Sequence, residues 1–211
     1  MPASTDTLTA KGLRSRARIV DTATRLMLAN GARGTTMEAI QHEAGVSASQ
    51  LYHYFASKRD LLAAVIQSST EVVLANKWLL NMRSLHDLRE WRDAVVGAAR
   101  ATGCRTGCPL ASFAEDIPDT DPELLELVAA GIRRLTAAVA EGLTAMRDTG
   151  ELRPDTDIDR LALVVVTAYE GGMLVSRTQR GPAPLEAALD AAVACVETQA
   201  TRKLVPEAAG F

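Results

Sequence analysis

The run Ser47-Ala48-Ser49-Gln50-Leu51-Tyr52 carries short polar side chains and directly follows Ala44-Gly45-Val46. Hydroxyls and a carboxamide at the start of a helix can bond to base edges in a DNA major groove, which is wide enough to admit that helix. Tyr52 faces the same way one turn further on. No nucleophile–base arrangement and no glycine-rich phosphate loop accompanies this run, and His42, His53 and His86 show no paired spacing. Cys104 and Cys108 stand at i, i+4, which would put two thiolates on one face of a helix. Gly103, Gly107 and Pro109 argue against a regular helix there, and a structural zinc site takes four ligands. With Cys195 the chain has three thiols, and three free thiols in a reducing compartment is the default; a thiol sensor or a metal site is the alternative. The expectation is therefore a binding protein, not an enzyme, without metal or cofactor.

The elements that would position those groups can be read from spacing. Ile19, Ala23 and Leu26 share one face of a helix that begins near Arg14 and stops at Asn30-Gly31. Thr35 with Glu38 three residues later predicts a capping box opening a second helix that carries Met37, Ile40 and Ala44. Gly45 supplies the positive φ of a tight turn. Ser47 and Gln50 form the same box for a third helix ending near Phe55. On it Leu51 and Phe55 share the inward side, while His53 is a phosphate donor or, more simply, a solvated surface residue. Ser57 caps a fourth helix with Asp60 in its first turn, and its apolar run continues unbroken toward Trp78. Further helices are predicted at 87–102, 110–115, 122–149, 158–180 and 184 to about 201. Val164-Val165-Val166 could be strand, but its flanks have helical spacing. The fold class is all-α.

Composition agrees with a helical, soluble protein: 47% apolar and 23% charged residues with few aromatics. Residues 1–60 hold eight Lys/Arg against five Asp/Glu, a net +3, and the remainder is −6. A basic head on an acidic body suggests that the head meets a polyanion. The start lacks the apolar core of a signal peptide, and the most apolar run, 161–169, is too short to span a bilayer. The expected location is the cytoplasm, with no membrane partner.

Helix–glycine–helix alone fits an ordinary helical hairpin as well as a DNA reader. The following segment, LYHYFASKRDLL, resembles the signature of the TetR (tetracycline-repressor-like) family: an aromatic-rich end to the recognition helix, Ser-Lys, an acidic residue, then Leu-Leu. The resemblance covers residues 14–66. It implies a flexible arm at 1–12, a three-helix helix-turn-helix domain at 13–58, a helical ligand-binding and dimerisation domain at 59–205, and a tail at 206–211. Thr36, Tyr54 and Lys58 fall where the family contacts phosphates. Ser47, Ala48, Ser49, Gln50 and Tyr52 match its base-facing positions. A helix N-terminus, a hydroxyl and an ammonium are indeed phosphate partners. The chain departs from many members at Ala48, where a basic residue is common, and at Ser49, where glycine is.

Beyond Trp78 the stretch GCPLASFAEDIPDTDPELLELV resembles one C-terminal subgroup of the family. Such a domain implies a mostly apolar pocket for a small-molecule effector. Trp78, Met82, Trp91, Phe113, Tyr169 and Met173 are the candidates, each equally readable as plain core. The family dimerises through its last two long helices, here 158–180 and 184–201. Their small residues Ala168, Gly171 and Gly172, with Ala188, Ala192 and Cys195, suit close helix approach. The resemblance thus implies a homodimeric, ligand-released repressor on a palindromic operator, an activator or a regulator without inducer being the alternative.

Overall fold

The structure is a computed structural model that describes residues 9–201, the Trp78 side chain excepted. Most of the expected arm (1–8), the expected tail (206–211) and residues 202–205 lie outside the described residues. Ten α-helices and no strand occur among the described residues: α1 (Ala10–Asn30), α2 (Met37–Ala44), α3 (Ala48–Tyr54), α4 (Lys58–Leu74), α5 (Lys77–Leu80), α6 (Leu85–Ala101), α7 (Pro109–Ala114), α8 (Pro122–Asp148), α9 (Ile158–Gln179) and α10 (Ala183–Glu197). Val164-Val165-Val166 is helical, inside α9.

Several boundaries differ from the sequence reading, among them the start of α6 at Leu85 and four with consequences for the fold. α1 begins at Ala10, capped by the Thr9 hydroxyl, which accepts the Gly12 N–H, so residues 10–12 are helix and not arm. α2 is capped by Thr36, whose Oγ1 accepts the Ala39 N–H at 3.1 Å, and not by Thr35. Thr35 is buried and donates its hydroxyl to the Gly31 carbonyl at 2.9 Å, so packing takes it out of the capping role. α4 stops at Leu74, and α5 is a separate short helix, although neither Pro nor Gly intervenes. α10 ends at Glu197, after which Ala200 and Leu152 form a lone antiparallel bridge.

Packing divides the chain into two compact units. The first takes residues up to Asn76 with Thr102–Leu135, and the second takes Lys77–Ala101 with Thr136 onward. In packing terms the head thus includes all of α4, α7 and the first half of α8. Ile19, Ala23 and Met27, spaced four apart, bring one face of α1 into its core beside Ile40, Leu51, Phe55, Leu61, Val65, Phe113 and Val128. Burial of such side chains at about 1.5–3 kcal/mol each is what offsets the entropy of ordering helices as short as α2 and α3.

In the second unit α9 packs along α10, and α6 also packs against α10. Leu88, Trp91, Val96, Leu143, Met146, Leu161, Val165, Leu185, Leu189 and Val196 are buried there. The close α9–α10 approach explains one of the two adjacent glycines of α9. A Cβ on Gly172 would lie 3.0 Å from the Leu185 Cα, so only glycine lets the backbones come this near. Gly171 beside it is exposed, and a Cβ there would meet nothing within 4 Å. Arg89–Glu197, Arg92–Asp190 and Arg100–Glu186 link α6 to α10 along the surface.

Candidate nucleic-acid interface

The short helix α3 is held by its two ends and its underside. At its start the Ser47 Oγ accepts the Gln50 N–H at 3.2 Å, and the Gln50 Oε1 accepts the Ser47 N–H at 3.0 Å, which completes a capping box. Beneath it Leu51 and Phe55 are fully buried, as the 100° spacing predicts. Gly45 makes the turn into it with φ +61°, and its N–H returns to the Gln41 and His42 carbonyls at the end of α2. No heavy atom lies within 4 Å of a Cβ built there, so the demand for glycine is conformational and not steric.

What remains outside is the polar face. Ser47, Ala48, Ser49, Gln50, Tyr52 and His53 are all exposed, and Thr36 is exposed at the start of α2. Tyr54 is half-buried against the core, its ring 5.1 Å from that of His53. The Lys58 ammonium donates to the Arg33 carbonyl at 3.2 Å, which leaves two of its three N–H donors unspent. Gln50 is more constrained than its sequence position suggests. Its Oε1 is committed to the capping box, so pairing both amide atoms with adenine would require that box to open.

A second feature of this unit was not legible in the sequence. The turn from α1 to α2 is clasped by the loop between α7 and α8: the Asp116 carboxylate accepts the Ala32 N–H, and the Arg33 Nε donates to the Asp116 carbonyl at 3.2 Å. Nearby Arg59 grips Asp121 through two bonds of 2.7 and 2.8 Å and Glu123 at 2.6 Å. The bonds from Asp121, then Glu123, raise the Arg59 guanidinium above its ordinary range, and Arg59 holds the Asp121 carboxyl below the usual carboxylate value. These partners are 62 to 84 residues apart, beyond the reach of any periodicity argument. Arg59, adjacent to Lys58, is thereby occupied by carboxylates.

The six aromatic and Met candidates for a ligand site are divided between the two units. Phe113 belongs to the core of the first unit; Met82, Trp91, Tyr169 and Met173 are in the second, and the side chain of Trp78 lies outside the described residues. Trp91 and Tyr169 are neighbours, with ring centroids 6.1 Å apart. Met82 packs where α8 passes, its Cβ and Cγ 3.4 Å from a Cβ built on Gly142. Cys104 and Cys108 are buried and Cys195 half-buried, and none of the three forms a disulfide. Among the described residues no group of three or more His, Cys, Asp or Glu could hold a metal, and no helix is long and apolar enough to cross a membrane.

Comparison with known proteins bears on both halves of the chain. Residues 19–65 match the family described as bacterial regulatory proteins, tetR family, and residues 84–192 match a tetracyclin repressor-like C-terminal domain. An HTH-type transcriptional regulator of Mycobacterium tuberculosis is 28% identical over 81% of this chain and 88% of its own length. The HTH-type transcriptional regulator BetI of Agrobacterium fabrum is 40% identical, over 43% of this chain and 35% of that protein. Among solved structures, a TetR transcriptional regulator from Chloroflexus aurantiacus superposes with a TM-score of 0.77 at 26% identity, covering 91% of this chain and 98% of that one.

Proposed function

We propose a specific role for this chain on the premise that it belongs to the TetR family of bacterial regulators, and so is a DNA-binding transcriptional regulator and not an enzyme. It acts as a ligand-released repressor: a cytoplasmic homodimer that sits on a palindromic operator until a small molecule binds its C-terminal part. Residues 13–58 meet the DNA, and residues 59–205 hold the effector and the second copy. Thr36, Tyr54 and Lys58 touch phosphates. Ser47, Ala48, Ser49, Gln50 and Tyr52 face bases, with His53 at the margin. The observation that carries this reading is the geometry of α3, seated by Leu51 and Phe55 with its whole polar face turned outward.

The dimer is supported by what α9 and α10 leave uncovered. Leu163, Leu174 and Val175 on α9 are 57, 50 and 42% exposed, and Thr167 and Gly171 continue the same face. On α10 the outward residues are Ala183, Ala187, Asp190, Ala191 and Ala194. Ala192, read from sequence as part of a free stripe, is buried inside its own chain, and Ala188 and Cys195 are half-buried. The face available to a partner is therefore turned by one residue from the sequence reading. The effector works by population shift: it releases the operator only to the extent that it binds the non-operator arrangement more tightly. Trp91 and Tyr169, with Met82 and Met173, are the polarizable and aromatic wall of its site in the second unit.

Selection of bound duplexes from a random-sequence pool tests the reading. The expected product is an inverted repeat whose half-sites are centred about 10 bp apart or a multiple of that, as two heads related by a two-fold axis demand. No enrichment, or a single unrepeated motif, would overturn the homodimeric operator.

A further inference from the structure

We propose that the outer face of the first half of α1, formed by Lys11, Arg14 and Arg18, is a second phosphate-binding element that lies along the DNA backbone beside the recognition helix. The proposal rests on the DNA-binding reading above. Residues at i, i+3 and i+7 fall on one face of a helix, and all three of these side chains are exposed. The opposite face carries Ile19, Ala23 and Met27 into the core, so the cations have no packing task.

Three observations separate this stripe from an ordinary solvated face. First, its charges are unspent: Lys11, Arg14 and Arg18 make no ion pair with any described residue, and the single carboxylate of α1, Asp21, does not pair with them. Four other cations of the same unit are neutralised, Arg25 by Glu43, Arg59 by Asp121 and Glu123, Arg133 by Glu126, and Arg134 by Glu71, whereas Arg16, Arg33, Lys58 and Arg105 form no ion pair with a described residue either. Second, the stripe is anchored next to the DNA reader. Arg16, on the opposite, core-facing side of α1 from the stripe, lies over the Phe55 ring at 5.0 Å, which sets this half of α1 against the end of α3. Arg25, seven residues beyond Arg18 on the same face, reaches Glu43 of α2 at 2.6 Å. Third, the dimensions fit. At 1.5 Å rise per residue, Lys11 to Arg18 spans about 10 Å along the helix, roughly the axial length of three nucleotides at 3.4 Å each. Three cations so placed can meet consecutive phosphates of one strand. They would add affinity without adding sequence preference, because phosphates carry none.

The test uses the full chain and a mixed-sequence 30-bp duplex, with affinity measured from 50 to 200 mM salt. Replacing all three (Lys11→Gln, Arg14→Gln, Arg18→Gln) should lower the magnitude of the log–log salt slope by about 5, at about 0.9 for each phosphate no longer neutralised by the three residues of each of the two heads. The helical circular dichroism and melting temperature should not change, because the side chains are exposed. A charge-matched control in the second unit, Arg83→Gln with Arg147→Gln and Arg160→Gln, should leave the slope as in the wild type. An unchanged slope in the α1 variant overturns the proposal, as does an equal drop in the control, which would make the effect one of net charge. A wild-type chain that binds no duplex at any salt overturns the DNA-binding reading itself, which distinguishes the two failures.

Discussion

Leu174→Arg should convert the proposed dimer to a folded monomer, and the size of the effect follows from exposure. Fully burying a Leu or Val side chain is worth about 1.5–3 kcal/mol. Leu163, Leu174 and Val175 have roughly half of their surface still open, so covering each adds about 1 kcal/mol, or about 6 kcal/mol over both copies. The substitution removes about 2 kcal/mol of that. It also brings two guanidinium groups toward a mainly apolar surface near a two-fold axis, at a cost of a few kcal/mol more. A total of about 4 kcal/mol or more raises the dimer Kd at least about 1000-fold. Sedimentation equilibrium over a range of concentrations reads this directly, and circular dichroism checks that the helices remain. Ala192→Arg gives the contrasting result. Ala192 is 2% exposed within its own chain, so an arginine there unfolds the α9–α10 pair before any interface is tested. If Leu174→Arg sediments as the wild-type dimer with the wild-type Kd, the outward face of α9 is not the interface and the reasoning fails.

Asp116→Ala should cost about 2 kcal/mol in denaturant unfolding, because it strands the buried Ala32 N–H of the α1–α2 turn; Asp121→Ala, which breaks only the exposed pair with Arg59, should cost less than about 1 kcal/mol. Equal losses would mean that the clasp does not hold the turn. Replacing Cys104 and Cys108 together by Ser should leave duplex binding unchanged with and without peroxide, since both thiols are buried and buried thiols are inert. Peroxide-driven release from DNA that the double variant abolishes would make them a sensor.

The parts of this protein that could be read from its sequence are those decided within one or two helical turns. The Ser47–Gln50 box, the Ser57 cap, the left-handed Gly45 and the inward pair Leu51 and Phe55 each depend on residues no more than four apart, where backbone geometry allows few outcomes. Those same elements display the polar face of α3, so the candidate DNA interface was legible almost whole. Tertiary packing decided the rest. Thr35 and Thr36 are equally good caps by type, and only burial of Thr35 against Gly31 leaves the role to Thr36. Ala191 and Ala192 are identical in chemistry. Which of them faces a partner is set by the rotation of α10 against α9, and that rotation is fixed where Gly172 admits Leu185 and Ala188. The grip of Asp116 on the α1–α2 turn joins residues 84 apart, a pairing that exists only once both segments have folded into one core.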